Sequence, residues 1–221
     1  RQSVQWRTAR PRIQTDHSHG GLHGNGVDFA EQRIHQRLIL HLQLGCTYYI
    51  TGNHEWALHG VPELKERLEN NGITVLSNRF VTLERNGDTL ILAGIDDPNG
   101  NADQKSPETL ATELYAAHGD PFWLLMAHRN DRFEEQYSLL GADLVLSGHG
   151  HGGIIRLPFT DGLLSTDRTF FPSYTAGFYE ENGSCLFVTR GLGNSGPTFR
   201  LFNRPEVAVI TLKNPRKEVN V

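Results

Sequence analysis

From Thr47 to Leu212, short apolar runs rich in β-branched and aromatic residues alternate with amphipathic helical patterns and turn signals, which confines the chain to strands and helices layered in one α/β architecture. Tyr48-Tyr49-Ile50 reads as a strand running into Gly52-Asn53-His54-Glu55. Pro62 to Leu68 starts with proline in a first turn and stops at Asn71-Gly72, the pattern of a short helix; Ile73 to Leu76 reads as the next strand. Phe80 to Leu83 and Thr89 to Leu92 flank Asn86-Gly87-Asp88, a hairpin signal that brings antiparallel pairing into the middle of the chain. Pro107 to His118 predicts a helix, Phe122 to Ala127 a buried strand ending at His128, and Phe133 to Leu140 a helix closed by Gly141. Leu144 to Leu146 forms a further strand. Beyond it come Ile154 to Leu157, a hairpin around Asn182-Gly183 and a final strand, Val207 to Leu212.

The first 46 residues have a different texture. RQSVQWRTARPRIQTDHSHGGLHGNG is crowded with Arg, Gln, His and Gly and holds no apolar run fit for a buried strand. Only from Val27 to Leu44 does the spacing of Phe29, Ile34, Leu38 and His41 become loosely helical. The chain thus divides into an atypical segment, 1–46, and one domain, 47–221, since 221 residues suit a single core. A formal charge of −4 supplies no basic field for a nucleic-acid backbone, so no nucleic-acid partner is expected. Cys46 and Cys185 can form at most one bridge and lack CxxC spacing, so they read as ordinary thiols. Without an apolar stretch long enough for a bilayer or a signal-peptide pattern, the chain as given reads as soluble.

Three polar clusters each follow an apolar strand: Asn53 with His54, then His128, then His149 with His151 in Ser-Gly-His-Gly-His-Gly-Gly. Ligands of α/β sheets sit at the carboxyl ends of strands, so these residues are expected to converge as a metal site, the glycines letting the last loop bend. Each has a plainer reading. His128 could be a strand-end histidine bonded to backbone, Asn53 a turn residue beside Gly52, and the double-histidine loop a flexible turn. Glu55 reads as a solvated loop carboxylate.

These strings also carry a resemblance. Gly52-Asn53-His54-Glu55, Ala127-His128 and Gly148-His149-Gly150-His151 resemble, in order and spacing, the last three signature motifs of calcineurin-like metallophosphoesterases. Gly94-Ile95-Asp96-Asp97-Pro98, Ser147 to Phe159 and Arg190 to Pro205 are similar to a YkuE-like bacterial subgroup, and the likeness covers about residues 47–213. The resemblance implies a four-layer αββα sandwich with two mixed β-sheets and two divalent metal ions, Mn, Fe or Zn, at the strand ends. It implies that Asn53, His128 and His149 hold one ion, that His151 belongs to the other, and that His54 is the catalytic residue beside the scissile phosphate, assisting the leaving oxygen. Imidazole and amide oxygen suit those metals, and paired ions activate water for in-line attack.

Two earlier family motifs, Asp-x-His and Gly-Asp-x-x-Asp, do not appear in this sequence, so the N-terminal strands are expected to be missing or disrupted. Asp16-His17-Ser18-His19 has the residue types at the wrong spacing, and Gly26-Val27-Asp28 lacks the Gly-Asp pair. The second site is therefore short of ligands, including the bridging carboxylate, and His17, His19 and His23 are poor substitutes on a segment without strands. A shifted reading frame or misjudged start would account for the texture of residues 1 to about 24, a hypothesis that the DNA upstream and in the other frames tests.

The leading expectation is a metal-dependent phosphoesterase hydrolysing a phosphomonoester or phosphodiester through a metal-activated water. The rivals are a catalytically impaired relative retaining a partial metal site, and a structural zinc module built on His149 and His151. By resemblance the substrate is a small phosphate ester or a nucleotide-linked lipid precursor, and the location is cytoplasmic or peripheral to the bacterial membrane, since part of the subgroup is membrane-anchored. Substrate-binding residues and oligomeric state are not legible: Arg156, Arg190 and Arg200 could bind phosphate, but structural pairing is the commoner use of an arginine.

Overall fold

A computed structural model of the chain describes residues 47–58, 60–85, 87–100, 104–157, 162–164, 169–193 and 200–212. The segment 1–46, with its expected helix from Val27 to Leu44, lies outside the described residues. Strand β1 (Thr47–Tyr49) leads through helix α1 (Asn53–Ala57) and helix α2 (Val61–Asn70) to β2 (Ile73–Val75), which pairs with β1 in parallel. There follow β3 (Arg79–Arg85), β4 (Asp88–Gly94), helix α3 (Pro107–His118), β5 (Trp123–Met126), β6 (Leu144–Ser147), β7 (Ile155–Arg156), β8 (Gly162–Leu164), β9 (Gly177–Glu181) and β10 (Ser184–Val188). Six of these strands form one mixed sheet in the order β3-β4-β5-β6-β10-β9. Its four inner strands are parallel, and the outer two are antiparallel hairpin partners. At the β9–β10 turn, Asn182 and Gly183 take φ of 51° and 77°, the left-handed pair that the Asn-Gly signal predicts.

The inner strands read as continuous apolar runs because both faces of the sheet are covered. On one face Ile91, Ala93, Trp123, Leu125, Val145, Leu186 and Val188 pack on Leu110, Ala111 and Leu114 of α3. On the other, Leu92, Leu124, Leu144 and Phe187 pack with Leu76 and the half-buried Tyr48 and Ile50. The alternation continues in β1: Tyr48 turns to the large sheet, whereas Tyr49 joins Leu64, Leu68, Ile73 and Val75 beneath α2. Among the described residues no helix is long and apolar enough to cross a membrane.

Two expected elements are corrected. Phe133 to Leu140 is not an α-helix but two 3₁₀ turns, Asn130–Arg132 and Tyr137–Leu139. The backbone ladder is uneven there: Gln136 N–H donates to Arg132, Ser138 N–H to Phe133 and Leu139 N–H to Gln136. Phe133, Tyr137 and Leu140 are buried all the same, so their helical spacing recorded burial without α geometry. Val207 to Leu212 forms no strand ladder among the described residues and shows only one bridge, at Leu212. Ile210 and Leu212 rest on the sheet beside Tyr48 while Val207 and Val209 are exposed, so the segment packs without a paired edge to fix its register.

Cys185, in β10, has its thiol pushed up to about 11, first by burial and then by the Glu180 carboxylate. Because the thiolate is the nucleophile, only ~0.1 % of the group is reactive at pH 8, and Cys185 should alkylate with iodoacetamide far more slowly in the folded protein than in urea. Peptide mass mapping of both states reads this directly.

Candidate metal centre

The loops after β1, β4, β5 and β6 meet at one edge of the sheets. At the end of β1, Gly52 N–H donates to Glu55 Oε2 at 2.8 Å, closing the first turn of α1. Glu55 is thus a helix cap and not a solvated loop carboxylate, and it sets the backbone from which Asn53 projects. Asn53 Oδ1 lies 2.9 Å from His128 Nε2, and His149 Nδ1 lies 3.2 Å from the same nitrogen. The two imidazole planes stand at 68° with centroids 5.0 Å apart. The structure therefore brings together Asn53, His128 and His149, from three strand ends that are far apart in sequence.

These three residues fit a divalent ion. Two donors that share an ion at about 2.1 Å and an angle of about 90–105° lie about 3.0–3.3 Å apart, the size of the two edges observed. With the Asn53 oxygen inward, His128 Nε2 faces an amide oxygen and the Nδ1 of a second imidazole, the two kinds of atom that can join it around an ion. Burial pushes the His149 imidazole down to about 4, helped by the Arg129 and His128 charges. Burial also lowers His128, with Asp97 and Glu55 opposing. Both are neutral at pH 7, the form a metal requires. The loop itself stores strain: His149, His151 and Ile154 take φ of 58°, 48° and 34°, left-handed values held by residues other than glycine.

His151 stands apart from that trio. Its Nδ1 is 3.2 Å from the Gly193 carbonyl and 3.4 Å from Arg200 Nη2, so a guanidinium rather than further anionic donors faces it. Among the described residues no group of three or more His, Cys, Asp or Glu side chains is placed to hold a metal. His54 is exposed on the first turn of α1, and burial lowers the His151 imidazole, with the Gly193 carbonyl opposing. A cavity of about 260 Å³ opens beside His149 and Gly150, walled by Asn130, Glu134, Tyr174 and Thr175.

Several residues of the site carry no local sequence signal. Arg129 donates through Nε to Asp97 Oδ2 at 2.9 Å and through Nη2 to Asn99 Oδ1 at 3.2 Å, and its Nη1 is 3.1 Å from His149 Nε2. Buried Asn130 donates to the Tyr174 carbonyl at 2.8 Å and fills the space beside Gly150. Asp96 and Asp97 were visible only as part of the string shared with the YkuE-like subgroup. The arginines take the structural role: Arg156 donates to Gly152 and Thr175, Arg190 pairs with Glu206 at 3.0 Å, and Arg200 donates to the carbonyls of Arg190, Gly191 and Gly193.

Several known proteins are similar to this chain. The chain is 31 % identical over 172 residues to the uncharacterized metallophosphoesterase YkuE of Bacillus subtilis, covering 76 % of this chain and 56 % of that protein. It is 29 % identical over 175 residues to an uncharacterized metallophosphoesterase of Aquifex aeolicus, covering 75 % and 60 %. It is also 29 % identical over 180 residues to the putative metallophosphoesterase F40B5.2 of Caenorhabditis elegans, covering 76 % and 35 %. The chain spans little more than half the length of the first of these relatives. No family model matches it, and no solved structure does. On these relatives the chain belongs to the metallophosphoesterase family.

Proposed function

We propose that this chain is a metal-dependent hydrolase of a phosphomonoester or phosphodiester, and that Asn53, His128 and His149 hold its divalent ion. The observation that carries this reading is the convergence of Asn53 Oδ1, His128 Nε2 and His149 Nδ1 within 2.9 and 3.2 Å. When bound, a divalent ion there supplies Lewis acidity and a lowered water pKa. In this reading His54, exposed on α1, assists the leaving oxygen, and the cavity beside His149 receives the rest of the ester. A four-layer αββα sandwich is the architecture proposed for the domain, supported by the order α2, β1–β2 pair, large sheet, α3 in the packing. The ligand set favours Mn²⁺, Fe or Zn²⁺, and the substrate class is a small phosphate ester or a nucleotide-linked lipid precursor.

A second reading, an impaired relative with one partial metal site, is favoured by the guanidinium facing His151. One experiment separates the two. The protein is purified with Mn²⁺, its metal counted by plasma mass spectrometry, and its hydrolysis of p-nitrophenyl phosphate and bis-p-nitrophenyl phosphate measured. Bound metal with turnover that His149→Ala abolishes supports the hydrolase; bound metal without turnover supports the impaired relative; metal-free protein overturns the assignment of the three ligands.

A further inference from the structure

Metal-ligating histidines hand their second ring N–H to an acceptor, normally a carboxylate, a carbonyl or water. At His149 a donor stands on that side. With Nδ1 turned toward His128, its Nε2 faces Arg129 Nη1 at 3.1 Å, a group that can only donate. The fully buried Asp97 carboxylate holds Arg129 in place through Nε at 2.9 Å. Asn99 Oδ1 fixes the other arm at 3.2 Å. A guanidinium tied at two points cannot drift away as a surface side chain would.

The contact between Arg129 and His149 requires a lone pair on Nε2, which places the ring proton on Nδ1. A metal on Nδ1 requires the reverse, leaving an N–H aimed at another N–H with a full positive charge behind it. The two states exclude each other. We propose that Arg129 is a built-in competitor for the metal, a cationic latch that Asp97 and Asn99 hold on His149 and that must withdraw its Nη1 before an ion settles between Asn53, His128 and His149. This rests on reading those three residues as the metal cradle. Arg129 thereby sets the metal concentration at which the site fills, acting through His149 and not through a bond to the ion.

The test is the affinity of the chain for Mn²⁺ by isothermal titration, comparing the unaltered protein with Arg129→Gln and Arg129→Lys. Lysine keeps a cation on Asp97 yet lacks the second arm, so it guards against a fold lost by stranding the buried carboxylate. Release of a charge-assisted contact should tighten Mn²⁺ binding by about tenfold in both variants. A merely structural arginine would give the opposite sign, weaker binding as the site loosens. If the unaltered protein takes up Mn²⁺ and the folded variants bind no tighter, the latch is overturned while the cradle stands. If none of the three proteins takes up Mn²⁺, both are overturned.

Discussion

Asp96→Ala should cost the fold about 3–5 kcal/mol, the range found when one partner of a buried ion pair is removed. The Asp96 side chain is 2 % exposed and lies 2.7 Å from Lys65 Nζ, itself only 21 % exposed. It also accepts from Thr51 Oγ1 at 2.7 Å, from Asn78 Nδ2 at 3.3 Å and from Ser77 Oγ, while its backbone N–H donates to Asn78 Oδ1 at 3.0 Å. One carboxylate therefore ties the end of β1, helix α2 and the turn after β2 to the end of β4, the seam where the small sheet meets the large one. Alanine leaves an ammonium and two hydroxyls without their shared acceptor in a place water reaches poorly. For a domain of this size the loss corresponds to a fall in Tm of roughly 6–20 °C, readable by calorimetry. Lys65→Met in the same background should return part of it, because the stranded charge then disappears with its stem retained. An Asp96→Ala protein melting within a degree or two of the parent would contradict this account of the seam.

The parts of the fold legible in the sequence are those in which one local pattern and one tertiary role coincide. The hairpin around Asn182-Gly183 was readable because a left-handed turn has few residue choices, and α3 because Pro107 and Gly119 bracket it. The convergence of Asn53, His128 and His149 was readable because each ends an apolar run. What was hidden depends on partners distant in sequence. Helix α1 exists through the bond from Gly52 to Glu55, and nothing in Asn-His-Glu-Trp-Ala announces a helix with no apolar stripe. Phe133, Tyr137 and Leu140 show a helical period because the core takes all three, yet the backbone joins them through 3₁₀ turns. Arg129 follows a histidine as an ordinary polar residue. Only the loop after β4, arriving with Asp97, turns it toward His149. The separation of His151 from the trio depends equally on Gly193 and Arg200, which lie 42 and 49 residues later.

Gly52→Val should weaken Mn²⁺ binding by about 100-fold, the upper end of what disturbing a ligand's support costs. A Cβ at Gly52 would stand 2.9 Å from His128 Cε1 and 3.0 Å from both Nδ1 and Nε2, so it meets the face of the ring rather than a movable tip. The ring has little room to yield. Its Nε2 is held at 2.9 Å from Asn53 and 3.2 Å from His149, and Gly148 N–H donates to the His128 carbonyl at 3.2 Å. Valine adds two further methyl groups in the same direction, so the imidazole must tilt out of line with the other two donors, a strain of about 1–3 kcal/mol on the fold as well. Glycine at this position is thus required by the approach of the ring and not by its own dihedral angles, since φ there is −112°. A double-mutant cycle with His128→Ala separates the two effects. With the ring gone, Gly52→Val should cost the fold less than it does in the parent, and no metal should bind in either form. If valine destabilises the His128→Ala protein as much as the parent, the clash lies elsewhere and the ring does not explain the glycine; if Mn²⁺ binds Gly52→Val as tightly as the parent, His128 is not one of the ligands.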